Sequence, residues 1–237
     1  MKILISDKMS DKVEDVLKSK SIDYDIKTGM DPEELKSVID QYDGILIRSA
    51  TKLTSDILAD CKNLKVVGRA GVGVDNVDLD TATKNKILVM NTPLGNLEAT
   101  AELTIGLMFS LYRHIHLANQ STHDGKWEKA KFMGTELKGK TLGIVGFGNI
   151  GQRVAEMASV IGMNIITNSN SASDEDLSKL GASKVSTEQL LTDCDILSLH
   201  TKLNDDTKNM LNKTSIATMK PSAVIINCAR GGLINEA

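Results

Sequence analysis

The stretch Val145-Gly146-Phe147-Gly148-Asn149-Ile150-Gly151 decides how this 237-residue chain is read. It follows the apolar run Thr141–Val145 and opens Ile150–Ile161, where apolar residues recur with a helical period. The three glycines therefore stand at a strand-to-helix turn. In that setting each has its own task. Gly146 allows the tight turn, Gly148 lets the backbone approach a pyrophosphate, and Gly151 lets the helix close on the strand, with phosphates facing the positive helix N-terminus. A bare glycine triplet would be an ordinary turn; a strand before it and a helix after it point to dinucleotide binding.

Further along, Asn164–Thr167 reads as the next strand. A carboxylate is expected near its end, about 20 residues beyond the glycines, to bind the adenosine ribose hydroxyls. The sequence there is Thr167-Asn168-Ser169-Asn170, so Ser169 occupies that place, and the nearest acid is Asp174. No arginine stands nearby to receive a 2′-phosphate, and NAD rather than NADP is the expected cofactor. Helix Thr187–Thr192, strand Asp195–Leu199, helix Lys213–Met219 and strand Ala223–Asn227 complete the series. Before it, Lys2–Ser6, Ile22–Lys27, Gly44–Ile47, Leu64–Val67 and Ile87–Met90 read as strands. Helices are expected at Lys12–Lys20, after Asp31-Pro32 and at Thr54–Asp60. Strands alternating with helices imply parallel sheets covered on both faces.

Between the two series, Ala101, Ile105, Met108, Tyr112 and Ile115 recur at three- and four-residue steps, which predicts one long helix over Leu97–Asn119. His123–Thr135, with the only tryptophan, Trp127, reads as a loop. The expected fold class is α/β: two Rossmann-like doubly wound parallel-sheet domains, residues 1–96 and 97–237, joined by the long helix.

The balance of 28 basic and 31 acidic residues gives a net charge of −3, which argues against nucleic acid or an anionic membrane as the partner. Hydrophobic residues make up 41%, enough for a substantial core. Three widely spaced cysteines suit a reducing compartment, and no secretory leader or apolar run of about 20 residues appears, so a cytoplasmic protein is expected.

Three arginines follow strand ends, where ligands of open α/β sheets bind. Arg230 lies just past Ala223–Asn227, beside Gly231 and Gly232; there a guanidinium can hold a carboxylate in paired hydrogen bonds and polarise an adjacent carbonyl. Position alone also fits an arginine that caps a strand. Arg48 and Arg69 sit in the same way, and the glycine-rich turn Ala70–Asp75 after Arg69 can aim backbone amides at an anion. Convergence of the two would suit a small phosphorylated or carboxylated substrate, although unrelated surface arginines would look the same. His114 and His116 are two residues apart and face different ways on a helix, and His200 ends a strand in a structural setting. No histidine or cysteine spacing suggests a metal site.

At this point the residues carry a resemblance. IRSAT (47–51), GRAGVGVDNVDL (68–79), ILVMNTP (87–93), AELTIGLM (101–108), DGKW (124–127), FMGTEL (132–137), GKTLGIVGFGNIGQRVAEM (139–157) and VIINCARGG (224–232) together resemble the D-isomer-specific 2-hydroxyacid dehydrogenases, most of all their phosphoglycerate branch. The resemblance spans essentially the whole chain. It implies hydride transfer between NAD and C2 of 3-phosphoglycerate, the first step toward serine. It also implies that Arg230 binds and polarises the substrate as the catalytic arginine, and that Arg48, Arg69 and the amides of Val72 and Gly73 receive its anionic groups. Gly146, Gly148, Asn149, Ile150 and Gly151 would hold the pyrophosphate, and Ser169 would sit by the adenosine ribose. Thr201, Cys228, Ala229 and Arg230 would line the nicotinamide side. A homodimer or larger assembly is implied as well. The chain departs from the family pattern at Ser169, where an Asp is usual, and at Lys202, where a proline is usual. The family's acid–base Glu and His lie beyond the NCARGG segment, after which only Leu233–Ala237 remain. The expectation is therefore a truncated product whose second domain is incomplete and whose turnover alone is poor. Alternatives are a relative acting on glyoxylate, hydroxypyruvate or another 2-hydroxy acid, a non-catalytic cofactor-sensing protein, and an enzyme completed by a second chain.

Overall fold

The structure, a computed structural model, describes residues 1–237 and divides into two compact units, Met1–Asn96 and Leu97–Ala237. The first runs β1 (Lys2–Ile5), α1 (Lys12–Ser19), β2 (Asp23–Ile26), α2 (Pro32–Val38), β3 (Gly44–Ile47), α3 (Ser55–Leu58), β4 (Val66–Arg69), α4 (Leu79–Lys84) and β5 (Leu88–Asn91). All pairings are parallel, in the order β2-β1-β3-β4-β5. The alternation of side chains along β1 explains the two covered faces. Leu4 joins Ile45, Ile47 and Val67 against α2, α3 and α4, while Ile3 and Ile5 pack with Leu17 of α1. Helix α2 starts where Asp31 predicts: its carboxylate accepts from the Glu34 N–H at 2.9 Å, Glu34 accepts from the Asp31 N–H at 3.1 Å, and Pro32 fills the first turn.

The second unit runs α5 (Leu97–Tyr112), α6 (Ile115–His123), β6 (Thr141–Val145), α7 (Asn149–Ile161), β7 (Asn164–Thr167), α8 (Asp174–Lys179), β8 (Ala182–Lys184), α9 (Thr187–Asp193), β9 (Ile196–Leu199), α10 (Lys213–Ala217) and β10 (Val224–Asn227). Its sheet is again parallel, in the order β10-β9-β6-β7-β8. Ala101 and Met108 of α5 pack with Leu142, Ile144, Val154 and Ala158 on one face. Leu190, Leu197, Leu199, Leu211 and Leu233 fill the other. Strand order reverses between β1 and β3 in the first unit and between β6 and β9 in the second. At such reversals the flanking helices go to opposite faces and leave a crevice at the carboxyl ends.

The α/β class and the two parallel sheets agree with the sequence. The single helix over 97–119 does not: the chain breaks after Tyr112, and His114 takes a left-handed conformation, φ 52° and ψ 32°, before α6 begins. In an unbroken helix the Tyr112 carbonyl would accept from residue 116; here it accepts from the Thr135 N–H at 2.9 Å. The expected loop from His123 holds one 3-10 turn, Lys129–Phe132, and α4, α8 and β8 add to the elements expected.

Candidate functional site

At the reversal in the second unit the three glycines have the distinct surroundings their spacing predicts. Gly146 has φ +87°, and a Cβ on it would stand 2.6 Å from the His200 carbonyl oxygen. Gly151 lies against the Gly146 carbonyl, which any side chain would strike, so α7 can approach β6 only with glycine there. Gly148 differs: a Cβ would meet nothing within 4 Å. The chain does not need glycine at that point for its own packing, and the space is free for another molecule's atoms. Gly148 also precedes α7 as its N-cap with no side-chain cap, and the first turn carries no acid. The leading N–H groups at Asn149, Ile150 and Gly151 therefore meet no negative charge from the chain itself. The cradle fits a pyrophosphate.

Around it, Thr201 follows His200 off β9, with its backbone N within 2.9 Å of the same hypothetical Gly146 Cβ. His200 lies beside Ser198, Nε2 to Oγ 2.8 Å, and burial pushes its imidazole down to about 4. It is thus neutral at pH 7, consistent with a structural role. Past β7, Ser169 donates its N–H to Thr167 Oγ1 at 3.2 Å, and its hydroxyl lies 3.0 Å from that of Ser171. Asp174 opens α8 behind the cap Ser173. Past β10, Asn227 shapes the turn that carries Cys228, Ala229 and Arg230. Its Oδ1 accepts from the Ala229 N–H at 3.0 Å and its Nδ2 donates to the Arg230 carbonyl at 2.8 Å. Arg230 Nη1 donates to the Ala229 carbonyl at 2.9 Å.

In the first unit, Arg48 and Arg69 come to one sheet edge, because Ile47 on β3 is in register with Arg69 on β4. Arg48 is exposed, with Nη1 donating to the Lys8 carbonyl at 3.2 Å. Arg69 folds over Gly71, where a Cβ would strike its guanidinium. Its Nε is buried and has no hydrogen-bond partner. A buried donor without an acceptor costs about 1–3 kcal/mol, so this arrangement favours an anion arriving beside it. In the turn that follows, the Gly71 carbonyl accepts from the Thr92 N–H at 3.0 Å and the Val72 carbonyl from Asn91 Nδ2 at 2.7 Å. The carbonyls are thus turned away, and the N–H groups of Val72 and Gly73 are not used within the chain. Successive free amides of this kind make an anion-binding concavity.

Two residues at this edge have no counterpart in the sequence reading. Asp7, 6% exposed, follows β1 and accepts from the N–H of Arg48 and from the N–H and hydroxyl of Thr51. Asn76 donates from Nδ2 to the carbonyls of Arg48 and Thr51, each at 2.7 Å. Sequence patterning carries no sign of either, because both bind backbone groups far along the chain.

A parallel sheet reversed at a glycine turn, ending in a cradle for a dinucleotide, defines a nucleotide-binding α/β protein, and the sequence comparisons narrow the class. The sequence model for the D-isomer specific 2-hydroxyacid dehydrogenase, NAD binding domain, matches residues 105–237. This chain belongs to the D-isomer specific 2-hydroxyacid dehydrogenase family. D-3-phosphoglycerate dehydrogenase of Synechocystis sp. is 42% identical over 235 residues, covering 99% of this chain and 42% of that protein. The Bacillus subtilis protein of the same name is 43% identical over 237 residues, covering 100% and 45%. The chain thus spans less than half the length of these relatives. Among solved structures, a glyoxylate reductase from Paecilomyes thermophila superimposes with a TM-score of 0.90 at 32% identity, over 99% of this chain and 75% of that one. An acyclic imino acid reductase in complex with NADPH and D-Arg gives 0.90 at 28% identity, over 100% and 76%. Use of a nicotinamide cofactor is common to the family. No helix is long and apolar enough to cross a membrane.

Proposed function

We propose that this chain carries the NAD and substrate sites of an NAD-dependent 3-phosphoglycerate dehydrogenase, which forms 3-phosphohydroxypyruvate on the way to serine. The observation that carries the substrate class is the pair Arg48 and Arg69 at one sheet edge, with the orphaned Arg69 Nε and the free amides of Val72 and Gly73 beside it. A substrate with two anionic ends, a carboxylate and a phosphate, suits two cations and an amide concavity better than a singly charged 2-hydroxy acid does.

The nicotinamide cofactor supplies the hydride chemistry. The chain's own residues bind and orient. Gly146, Gly148, Asn149, Ile150 and Gly151 would hold the pyrophosphate against the α7 N-terminus. Ser169 would meet the adenosine ribose. Thr201, Cys228 and Ala229 would line the nicotinamide, and Arg230 would hold the substrate carboxylate and draw charge from its C2 oxygen. No arginine stands near Ser169 in the sequence to receive a 2′-phosphate, which favours NAD over NADP. Self-association into a dimer or larger assembly fits the exposed leucines Leu103, Leu107 and Leu111, spaced four apart along α5; sedimentation of the purified chain tests it.

The deciding experiment is a titration with NADH and NADPH by nicotinamide fluorescence, followed by 3-phosphoglycerate, glycolate and D-lactate titrated by calorimetry at saturating NADH. Binding of NADH and of 3-phosphoglycerate ahead of the unphosphorylated acids is expected. Equal binding of all three acids would shift the reading to a general 2-hydroxyacid dehydrogenase, and tighter NADPH would overturn the cofactor.

A further inference from the structure

We propose that Asp7 and Asn76 are positioning residues that hold the Arg48 loop in place beside the Arg69 turn. The inference rests on reading Arg48 and Arg69 as the anion site. The loop after β3 turns at Ser49-Ala50 and has no helix or strand of its own to fix it. Its backbone is gripped instead from two sides. The Asp7 carboxylate takes the N–H of Arg48 and the N–H of Thr51, the latter at 3.2 Å, and it takes the Thr51 hydroxyl at 2.9 Å. The Asn76 amide takes the carbonyls of the same two residues, both at 2.7 Å. Donors and acceptors at both ends of the loop are thus satisfied by two side chains from other segments.

The two grips come from different places, and that gives them a joint consequence. Asp7 follows β1, so it ties the loop to the strand across the reversal in strand order; Ser6 adds a hydroxyl contact to Thr51 at 2.9 Å. Asn76 follows the turn that holds Arg69, Val72 and Gly73, and its own carbonyl accepts from the Leu53 N–H at 2.8 Å. The loop bearing Arg48 is therefore bolted to the turn bearing Arg69. Arg48 itself is exposed and long, and its aim depends on where its backbone starts. Neither Asp7 nor Asn76 needs to touch the ligand; each acts through Arg48.

The test uses the 237-residue chain. 3-Phosphoglycerate is titrated by calorimetry at saturating NADH, and NADH alone by fluorescence. Asn76→Ala is expected to weaken 3-phosphoglycerate about tenfold and to leave NADH affinity unchanged. In an Arg48→Ala background the same change should cost nothing further, which a merely structural role would not produce. Asp7→Asn keeps the shape but turns one acceptor toward the same N–H groups as a donor, and it should likewise weaken the acid and spare the nucleotide. Unaltered 3-phosphoglycerate affinity in both variants would overturn the inference alone, as would an undiminished loss with Arg48 already removed. Failure of the unaltered chain to bind 3-phosphoglycerate while it binds NADH would overturn the anion-site reading and this inference together.

Discussion

Gly146 and His200 meet backbone to backbone: a Cβ on the glycine would stand 2.6 Å from the histidine's carbonyl oxygen and 2.7 Å from its carbonyl carbon. That contact brings the end of β6 against the end of β9, where the strand order reverses. Gly146→Ala must relieve the overlap and also adopt φ near +87° with a side chain. A loss of at least about 2 kcal/mol is expected, read as a shift in urea midpoint, with nucleotide affinity falling as a consequence.

Gly148→Ala makes the contrasting case. Its φ of −79° suits any residue and its surroundings are empty, so stability should change by less than about 0.5 kcal/mol. NADH affinity should nevertheless drop about tenfold or more, because the methyl group enters the space where the pyrophosphate approaches. Unchanged NADH binding in a folded Gly148→Ala protein would remove the cradle from the site.

His200 gives the chain a pH dependence with a definite sign. Burial lowers its imidazole to about 4, below the 6.5 of an exposed histidine. The unfolded chain therefore binds a proton that the folded chain refuses between those values, and folding stability falls as pH drops through that window. The loss from this group alone is about 2 kcal/mol by pH 5. Urea unfolding of the unaltered chain and of His200→Gln, each at neutral pH and near pH 5, isolates it: the difference between the two pH values should shrink in the variant. An equal drop in both proteins would assign the acid sensitivity elsewhere.

The break after Tyr112 places His114 at φ 52°, a conformation that costs an L-residue about 1 kcal/mol or more and glycine little. Its N–H to the Leu111 carbonyl, 3.3 Å, is a backbone bond that any residue can make. His114→Gly should accordingly be neutral or stabilising by up to about 1 kcal/mol, measured as a rise in the midpoint of thermal or urea unfolding. Clear destabilisation would mean that the imidazole contributes packing beyond its backbone role.

The glycine turn could be read from sequence because its requirements concern the backbone, and only glycine meets them. The strands were legible for a related reason: runs such as Ile3-Leu4-Ile5 and Ile225-Ile226 are apolar on both sides, as strands covered on both faces must be. The helix break was hidden because the apolar period continues through Ile115, and the residue that takes the left-handed turn is a histidine rather than a glycine. Past the break, the Tyr112 carbonyl is taken up by the Thr135 N–H from outside the helix, a partner that the spacing of apolar residues does not reveal. Asp7 and Asn76 were invisible in the same way. They reach 41 and 28 residues along the chain to the backbone of Arg48, and a backbone partner leaves no residue type to recognise. Arg48 and Arg69 were visible as candidates, but their meeting at one edge depends on the β3–β4 register, which residue spacing does not encode.

The division at Asn96 and Leu97 bears on how the protein comes apart. Leu4, Ile45 and Val67 belong to one apolar cluster and Leu142, Ile144 and Val154 to another, each enclosed by its own sheet and helices. Heating should then melt the halves in separate steps rather than in one sweep. A molecule held by only one half stabilises only that half, so saturating NADH should move a single calorimetric peak and leave its neighbour where it was. The heat trace becomes a map of which half has been occupied.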